Sequence, residues 1–315
     1  IFNGGLGSIT KDFRPMQYFS CPNQFIATGN SNHNGFKYGL TWMAYRPIHE
    51  TECCIGNLHR YMPNYVARMW LKDKKGHPVA ALYGPSSVVY DLGEGVTVKI
   101  DEITEYPFEE QIKFKFTFFK DGKKSDESHA MDFTYRIPGW CKAAETGFRT
   151  ESKEWKSGEV FTVRLPMQIE VVDAPVQGKC IQRGPIVYSY AIPANWVEDT
   201  KIYDNLAGKV SANPEFKSWE LTPAGKWNYA LVENMLRGLR VQRTGNSGFP
   251  FDPESVPLKI RVPVKGVKDW TLKEDRFTPA LPETVVPESE QVEFIELVPY
   301  GSTTLRLTTF PTIKE

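Results

Sequence analysis

Gln111-Ile112-Lys113-Phe114-Lys115-Phe116-Thr117-Phe118-Phe119 alternates apolar and polar side chains for most of its length. A period of two sets Ile112, Phe114, Phe116 and Phe118 on one face and Lys113, Lys115 and Thr117 on the other, the pattern of a half-buried strand. Asp121-Gly122 then supplies a hairpin turn. Met131, Phe133, Tyr135 and Ile137 repeat the pattern up to Pro138-Gly139, and Phe161, Val163 and Leu165 do so before Pro166. Near the end, Leu305-Arg306-Leu307 follows a Pro299-Tyr300-Gly301 turn. Short alternating strands punctuated by 23 prolines predict a mainly β protein, an antiparallel sandwich from about Val79 onward and not an α/β sheet.

Upstream of this region the period changes. Ile55, Leu58, Met62, Val66 and Met69 recur at three- and four-residue spacing, which predicts a helix. Pro63 interrupts it, so a kink or a fresh first turn is expected there. The helix should end near Lys72-Asp73-Lys74-Lys75-Gly76. Ile1-Phe2-Asn3-Gly4-Gly5 reads as a helix C-terminus, and residues 16–45 are polar and loop-rich. The expected division is therefore 1–75 for the helical segment and 76–315 for the sandwich region. The second part is read as two sandwich units, or one with a long insertion near 196–230, where Trp, Asn and Pro accumulate.

With 315 residues the chain is long enough for two domains. Thirty-eight basic and 38 acidic residues cancel, so the charge balance favours neither a nucleic-acid nor an acidic-membrane partner. No apolar run approaches the roughly 18 residues that span a bilayer. Five cysteines at irregular spacing do not make a disulfide framework. The chain begins at Ile1 without a secretory pattern and is read as a mature product or a fragment. Its location is periplasmic or extracellular if a parent carried a signal peptide, and cytoplasmic otherwise.

Reactive chemistry is concentrated in Glu52-Cys53-Cys54-Ile55-Gly56-Asn57, with His49 and Glu50 before it and His59 after it. Neighbouring cysteines bridge only through a strained ring, so the pair reads as two reduced thiols. They can bind a soft metal such as zinc, which keeps a coordinated thiol deprotonated. They can supply a nucleophile. They can also simply pack, because Cys is among the most buried residue types.

The string Cys53-Cys54-Ile55-Gly56-Asn57-Leu58-His59-Arg60 resembles the signature of glycoside hydrolase family 127, the β-L-arabinofuranosidases and their relatives. Tyr83-Gly84-Pro85, Arg136-Ile137-Pro138-Gly139-Trp140, Leu165-Pro166-Met167, Arg183-Gly184-Pro185-Ile186-Val187-Tyr188 and Val298-Pro299-Tyr300-Gly301 follow the family's order. The resemblance covers nearly the whole chain. It implies the last helical part of an (α/α)6 barrel placed before a β-sandwich. It further implies a zinc ion held by three cysteines and a glutamate, one of those cysteines attacking the anomeric carbon. By motif position Cys53 resembles the nucleophile, and Cys53 and Cys54 resemble zinc ligands. The implied substrate is a plant-type arabinose-containing glycan or oligosaccharide, cleaved with retention of configuration.

The departures are specific. The family's acid/base Glu and its Glu-x-Cys pair lie upstream of the Cys pair, and this chain reads as starting after them. A missing N-terminal barrel segment is expected, and with it an inactive chain. Cys21, in Ser20-Cys21-Pro22-Asn23, does not match the absent cysteine, and Ile55 stands where the family often has Pro. His33 and Asn32, on a polar loop resembling a substrate-facing segment, are candidates for binding a sugar hydroxyl, against the alternative of a solvated loop. Trp140 and Trp155 are either sugar platforms or core. Two classes remain: a thiol-dependent glycosidase, or a non-catalytic sandwich module for packing or glycan binding with vestigial cysteines.

Overall fold

The computed structural model describes residues 1–33, 43–49, 53–142, 145–199, 215–245 and 247–314, with the side chains of Asn32, His33 and 53–55 outside the description. It is mainly β and forms two compact units, one made of Ile1–His59 with Ile169–Glu315, the other of Arg60–Gln168. The change of sequence period at about residue 76 falls inside the second unit.

That second unit is a sandwich of a five-stranded and a four-stranded sheet. Val160–Arg164, Gln111–Lys120, Val96–Thr104 and Ser86–Gly93 pair in that order, all antiparallel, with Lys123–Ser125 added to Gln111–Lys120. The other sheet runs Trp70–Lys72, Pro78–Ala80, His129–Ile137, Gly147–Trp155. The alternation read from the sequence holds: Ile112, Phe114, Phe116 and Phe118 are fully buried while Lys113 and Lys115 face solvent. Asp121 and Gly122 both take positive φ, 48° and 75°, as a tight two-residue hairpin requires. The sheets meet through aromatic rings, Phe114 on Phe133 at 4.9 Å and Phe116 on Trp155 at 4.4 Å between centroids. Edge and offset contacts of this kind add to the burial of large apolar area. Trp155, fully buried with Nε1 donating to the Met131 carbonyl, is core and not a sugar platform.

The first unit is built on a nine-stranded sheet. Ile169–Asp173, Lys179–Arg183, Ile186–Ala191, Glu293–Pro299, Leu258–Gly266, Tyr229–Val232 and Thr312–Ile313 follow one another, with Val241–Arg243 and Arg306–Leu307 attached at its side. The N-terminal segment lies on this sheet through side chains that imitate strand pairing. Asn23 Oδ1 accepts the Thr308 and Thr309 amides at 2.9 Å, and Asn3 bonds Pro185 O and the Val187 amide at 3.0 Å. Phe25 stacks on Trp227 at 3.9 Å. Arg306 is fully buried. Its guanidinium donates to Gly7 O, Cys21 O, Ser20 Oγ, Thr303 and Tyr300 Oη, so residues distant in sequence converge on one cation.

Two elements differ from the sequence reading. The helix, α1, spans Cys53–Ala67 with Pro63 inside it. It stops before Lys72 because Trp70–Lys72 pairs with Pro78–Ala80 around an Asp73–Gly76 turn, Gly76 taking φ 88°. Pairing outcompetes one more helical turn. At the insertion expected near 196–230, residues 200–214 lie outside the description and strands occupy the described ends. Ala194–Glu198 pairs with Trp219–Pro223, burying Leu221, and Tyr229–Val232 is a buried strand of the large sheet. Among the described residues no helix is long and apolar enough to cross a membrane.

Candidate active site at the cysteine pair

Cys53 and Cys54 are the first described residues of helix α1, and residues 50–52 before them lie outside the description. A helix N-terminus, with its free backbone N–H groups and dipole, stabilises negative charge and lowers a thiol pKa. The Cys53 and Cys54 side chains lie outside the described residues, as do Glu50 and Glu52. Asn32 and His33 form a two-residue strand parallel to Phe277–Thr278, which fixes their backbone, and their side chains are likewise outside the description.

His49, four positions before Cys53, is better defined. Its Nε2 lies 2.7 Å from the Met16 carbonyl, and Met16 pairs with Arg46 in the same segment. A carbonyl only accepts, so Nε2 carries the proton and Nδ1 keeps a bare lone pair. Nδ1 is buried and has no hydrogen-bond partner among the described residues. Burial pulls the imidazole down to about 4, with Arg46 acting in the same direction. His49 is therefore neutral at physiological pH.

The three described cysteines have the opposite character to a helix-start thiol. Cys21 donates to Asn23 O at 2.5 Å, and burial pushes it up to about 12 despite the nearby Arg306. Cys180 is also raised by burial, and Cys141 is buried against Pro166 O. Burial that favours the protonated thiol makes Cys21 and Cys180 poor nucleophiles.

One carboxyl passed over in the sequence has a strongly shifted pKa. Glu102 is 3% exposed, and burial raises it to about 7, only partly opposed by bonds from the Gly84 amide and the Ser86 hydroxyl, both at 3.0 Å. Such shifts often mark an acid catalyst, yet both oxygens here are tied inside a sandwich core. Its effect is on stability. A carboxyl whose folded pKa lies above its unfolded one is more protonated when folded, so stability falls as pH rises from about 4.5 to about 7, by as much as roughly 3 kcal/mol. Glu102→Gln, which keeps an acceptor for the Gly84 amide, is expected to flatten that part of the urea-midpoint profile between pH 5 and 8. An unchanged slope would assign it to other groups.

Comparison with known proteins separates the fold from the chemistry. Residues 79–148 match the sequence model described as beta-L-arabinofuranosidase, GH127 middle domain. A GH127 beta-L-arabinofuranosidase from Geobacillus stearothermophilus T6 superposes on all of the chain with a TM-score of 0.61 at 16% identity. The chain is GH127-like. A solved glycoside hydrolase aligns over 99% of it with a TM-score of 0.63 at 16% identity, and a GH127 beta-arabinofuranosidase over 100% with 0.56 at 14%. At these identities the likeness shows the fold. This GH127-like chain spans a little under half of those proteins, 45%, 47% and 45% of their lengths. The matched sequence segment lies in the sandwich downstream of Cys53 and Cys54 and does not include them. No curated protein matches the chain.

Proposed function

We propose that this chain is the C-terminal part of a retaining glycoside hydrolase of the β-L-arabinofuranosidase type, with Cys53 as nucleophile. The match of residues 79–148 to the GH127 middle domain carries this reading. The place of Cys53 and Cys54 on α1 is compatible with it: in this reading the helix starts beside them, a position that favours a thiolate. In this reading α1 is the last helix of an (α/α)6 barrel. Tyr61 and Val66 on it are 62% and 66% exposed, an apolar surface suited to neighbouring helices.

The donor set fits zinc only in part. Zinc takes four ligands; Cys53 and Cys54 offer two, and Cys21 is protonated and bonded elsewhere. When bound, zinc would keep the thiols deprotonated. The remaining work belongs to side chains. The Cys53 thiolate attacks the anomeric carbon and the glycosidic C–O bond breaks. The leaving oxygen takes a proton from a carboxylic acid, and water activated by the resulting carboxylate then releases the sugar. Glu102, tied in the sandwich core, is not that acid. The chain by itself is expected to leave p-nitrophenyl β-L-arabinofuranoside intact.

Limited alkylation tests the nucleophile. With substoichiometric iodoacetamide at neutral pH, mass spectrometry should find Cys53 modified well before Cys21, Cys141 and Cys180. Labelling of Cys53 no faster than these three would favour the other reading, a sandwich module for packing or glycan binding whose cysteines are vestigial.

A further inference from the structure

Away from the cysteine pair, inside the unit of residues 60–168, three side chains with metal-binding chemistry converge. Asp73 and His77 come from the turn and following residue between Trp70–Lys72 and Pro78–Ala80, and Asp132 comes from His129–Ile137. Val79 pairs with Thr134 in parallel, which brings His77 beside Asp132. His77 Nδ1 stands 3.5 Å from Asp132 Oδ2 and 3.7 Å from Asp73 Oδ2. A tetrahedral ion with ligands at about 2.0–2.1 Å needs ligand–ligand edges of roughly 3.3 Å, so little closure is required.

The nitrogen itself is unsatisfied. On a side chain that is 24% exposed, the His77 Nδ1 atom is itself covered and has no hydrogen-bond partner among the described residues. The carboxylates are oriented from behind. Asp73 Oδ1 accepts the amides of Lys75 and His77, each at 2.8 Å, leaving Oδ2 toward the imidazole. Asp132 Oδ2 accepts a hydrogen bond from Lys75 Nζ at 2.9 Å. Supporting contacts of this kind fix ligand geometry at metal centres.

We propose that Asp73, His77 and Asp132 form a binding site for a divalent transition ion of the zinc class, separate from the cysteine pair, with solvent completing the shell. One imidazole with two carboxylates favours such an ion over Mg²⁺ or Ca²⁺, which prefer all-oxygen surroundings. Lys75 is the resident competitor. Its ammonium lies 2.9 Å from Asp132 Oδ2, on a side chain 70% exposed, so it can swing into water when a dication arrives. The ion would clip the hairpin after α1 to the strand beside it.

The opposing account is that Lys75 and His77 simply pair with the two carboxylates. Calorimetric titration with zinc chloride decides, using the intact chain and a Cys53→Ser, Cys54→Ser double variant that removes the thiols. One zinc per chain should bind in the double variant, with millimolar Mg²⁺ unable to displace it. In that background His77→Ala and Asp132→Asn should each weaken binding at least tenfold, and Lys75→Ala should tighten it several-fold. Lys75→Ala lies at the surface and gives an independent readout should either of the others fail to fold. Zinc bound only when the thiols are present, zinc affinity indifferent to His77 and Asp132, or no gain from Lys75→Ala would each overturn the site.

Discussion

Alanine at position 53, in a longer protein that supplies the upstream acid and metal ligands, is expected to lower hydrolysis of p-nitrophenyl β-L-arabinofuranoside by at least roughly 10⁴-fold. Losses of this size follow removal of a covalent nucleophile, because the remaining groups still bind and polarise the substrate but have no partner for the anomeric carbon. The far-ultraviolet circular dichroism should not change, since Cys53 lies in a helix that alanine also favours. Cys54→Ala should lose less turnover but more metal. Steady-state kinetics and metal analysis on the two variants separate the roles. Retention of a tenth of the activity by Cys53→Ala would remove Cys53 from the chemistry.

Arg306→Met is expected to destabilise the unit of residues 1–59 and 169–315 by about 4 kcal/mol or more. The side chain is fully buried, and every hydrogen bond it makes ends on a neutral oxygen: Gly7 O, Ser20 Oγ, Cys21 O, Tyr300 Oη and two atoms of Thr303. Methionine fills much of the volume but leaves those acceptors facing a thioether. Each buried acceptor without a donor costs about 1–3 kcal/mol. Arg306→Lys keeps the charge but cannot fork to both the Gly7 and Cys21 carbonyls, and should fall between. Urea denaturation measures the loss. Hydrogen exchange should localise it to residues 1–27 and the strands beneath them. A change under about 1 kcal/mol for Arg306→Met would mean that water replaces the guanidinium at little cost.

The sandwich was legible because its signal is local. Phe114, Phe116 and Phe118 alternate with lysine and threonine, and burial follows that alternation. The end of α1 was not legible, because Trp70–Lys72 leaves the helical pattern only through pairing with residues beyond the turn. The strand at Tyr229–Val232 was hidden for a related reason. It is buried on both faces, so it shows no alternation, and its position rests on partners at Leu258–Gly266 and Thr312–Ile313. At the candidate site the reactive pair stood out by residue type alone. The cluster of Asp73, His77 and Asp132 did not, because a parallel pairing between distant segments assembles it. A helix start and a Cys-Cys doublet are adjacent letters, whereas this second cluster exists only after folding.

The bond from Arg306 to Gly7 has a consequence for biosynthesis. Residues 60–168 form one uninterrupted stretch and can close as soon as they leave the ribosome. The other unit must wait, because its buried guanidinium and its Thr312–Ile313 strand are translated long after its residues 1–59. Until then the segment before His59 has no sheet to lie on, and Phe25 and Met16 remain uncovered. At elongation rates of roughly 5–20 residues per second, that interval lasts on the order of ten seconds. A nascent chain stalled shortly before Arg306 should therefore engage chaperones through residues 1–27 and release them once Thr312–Ile313 has emerged.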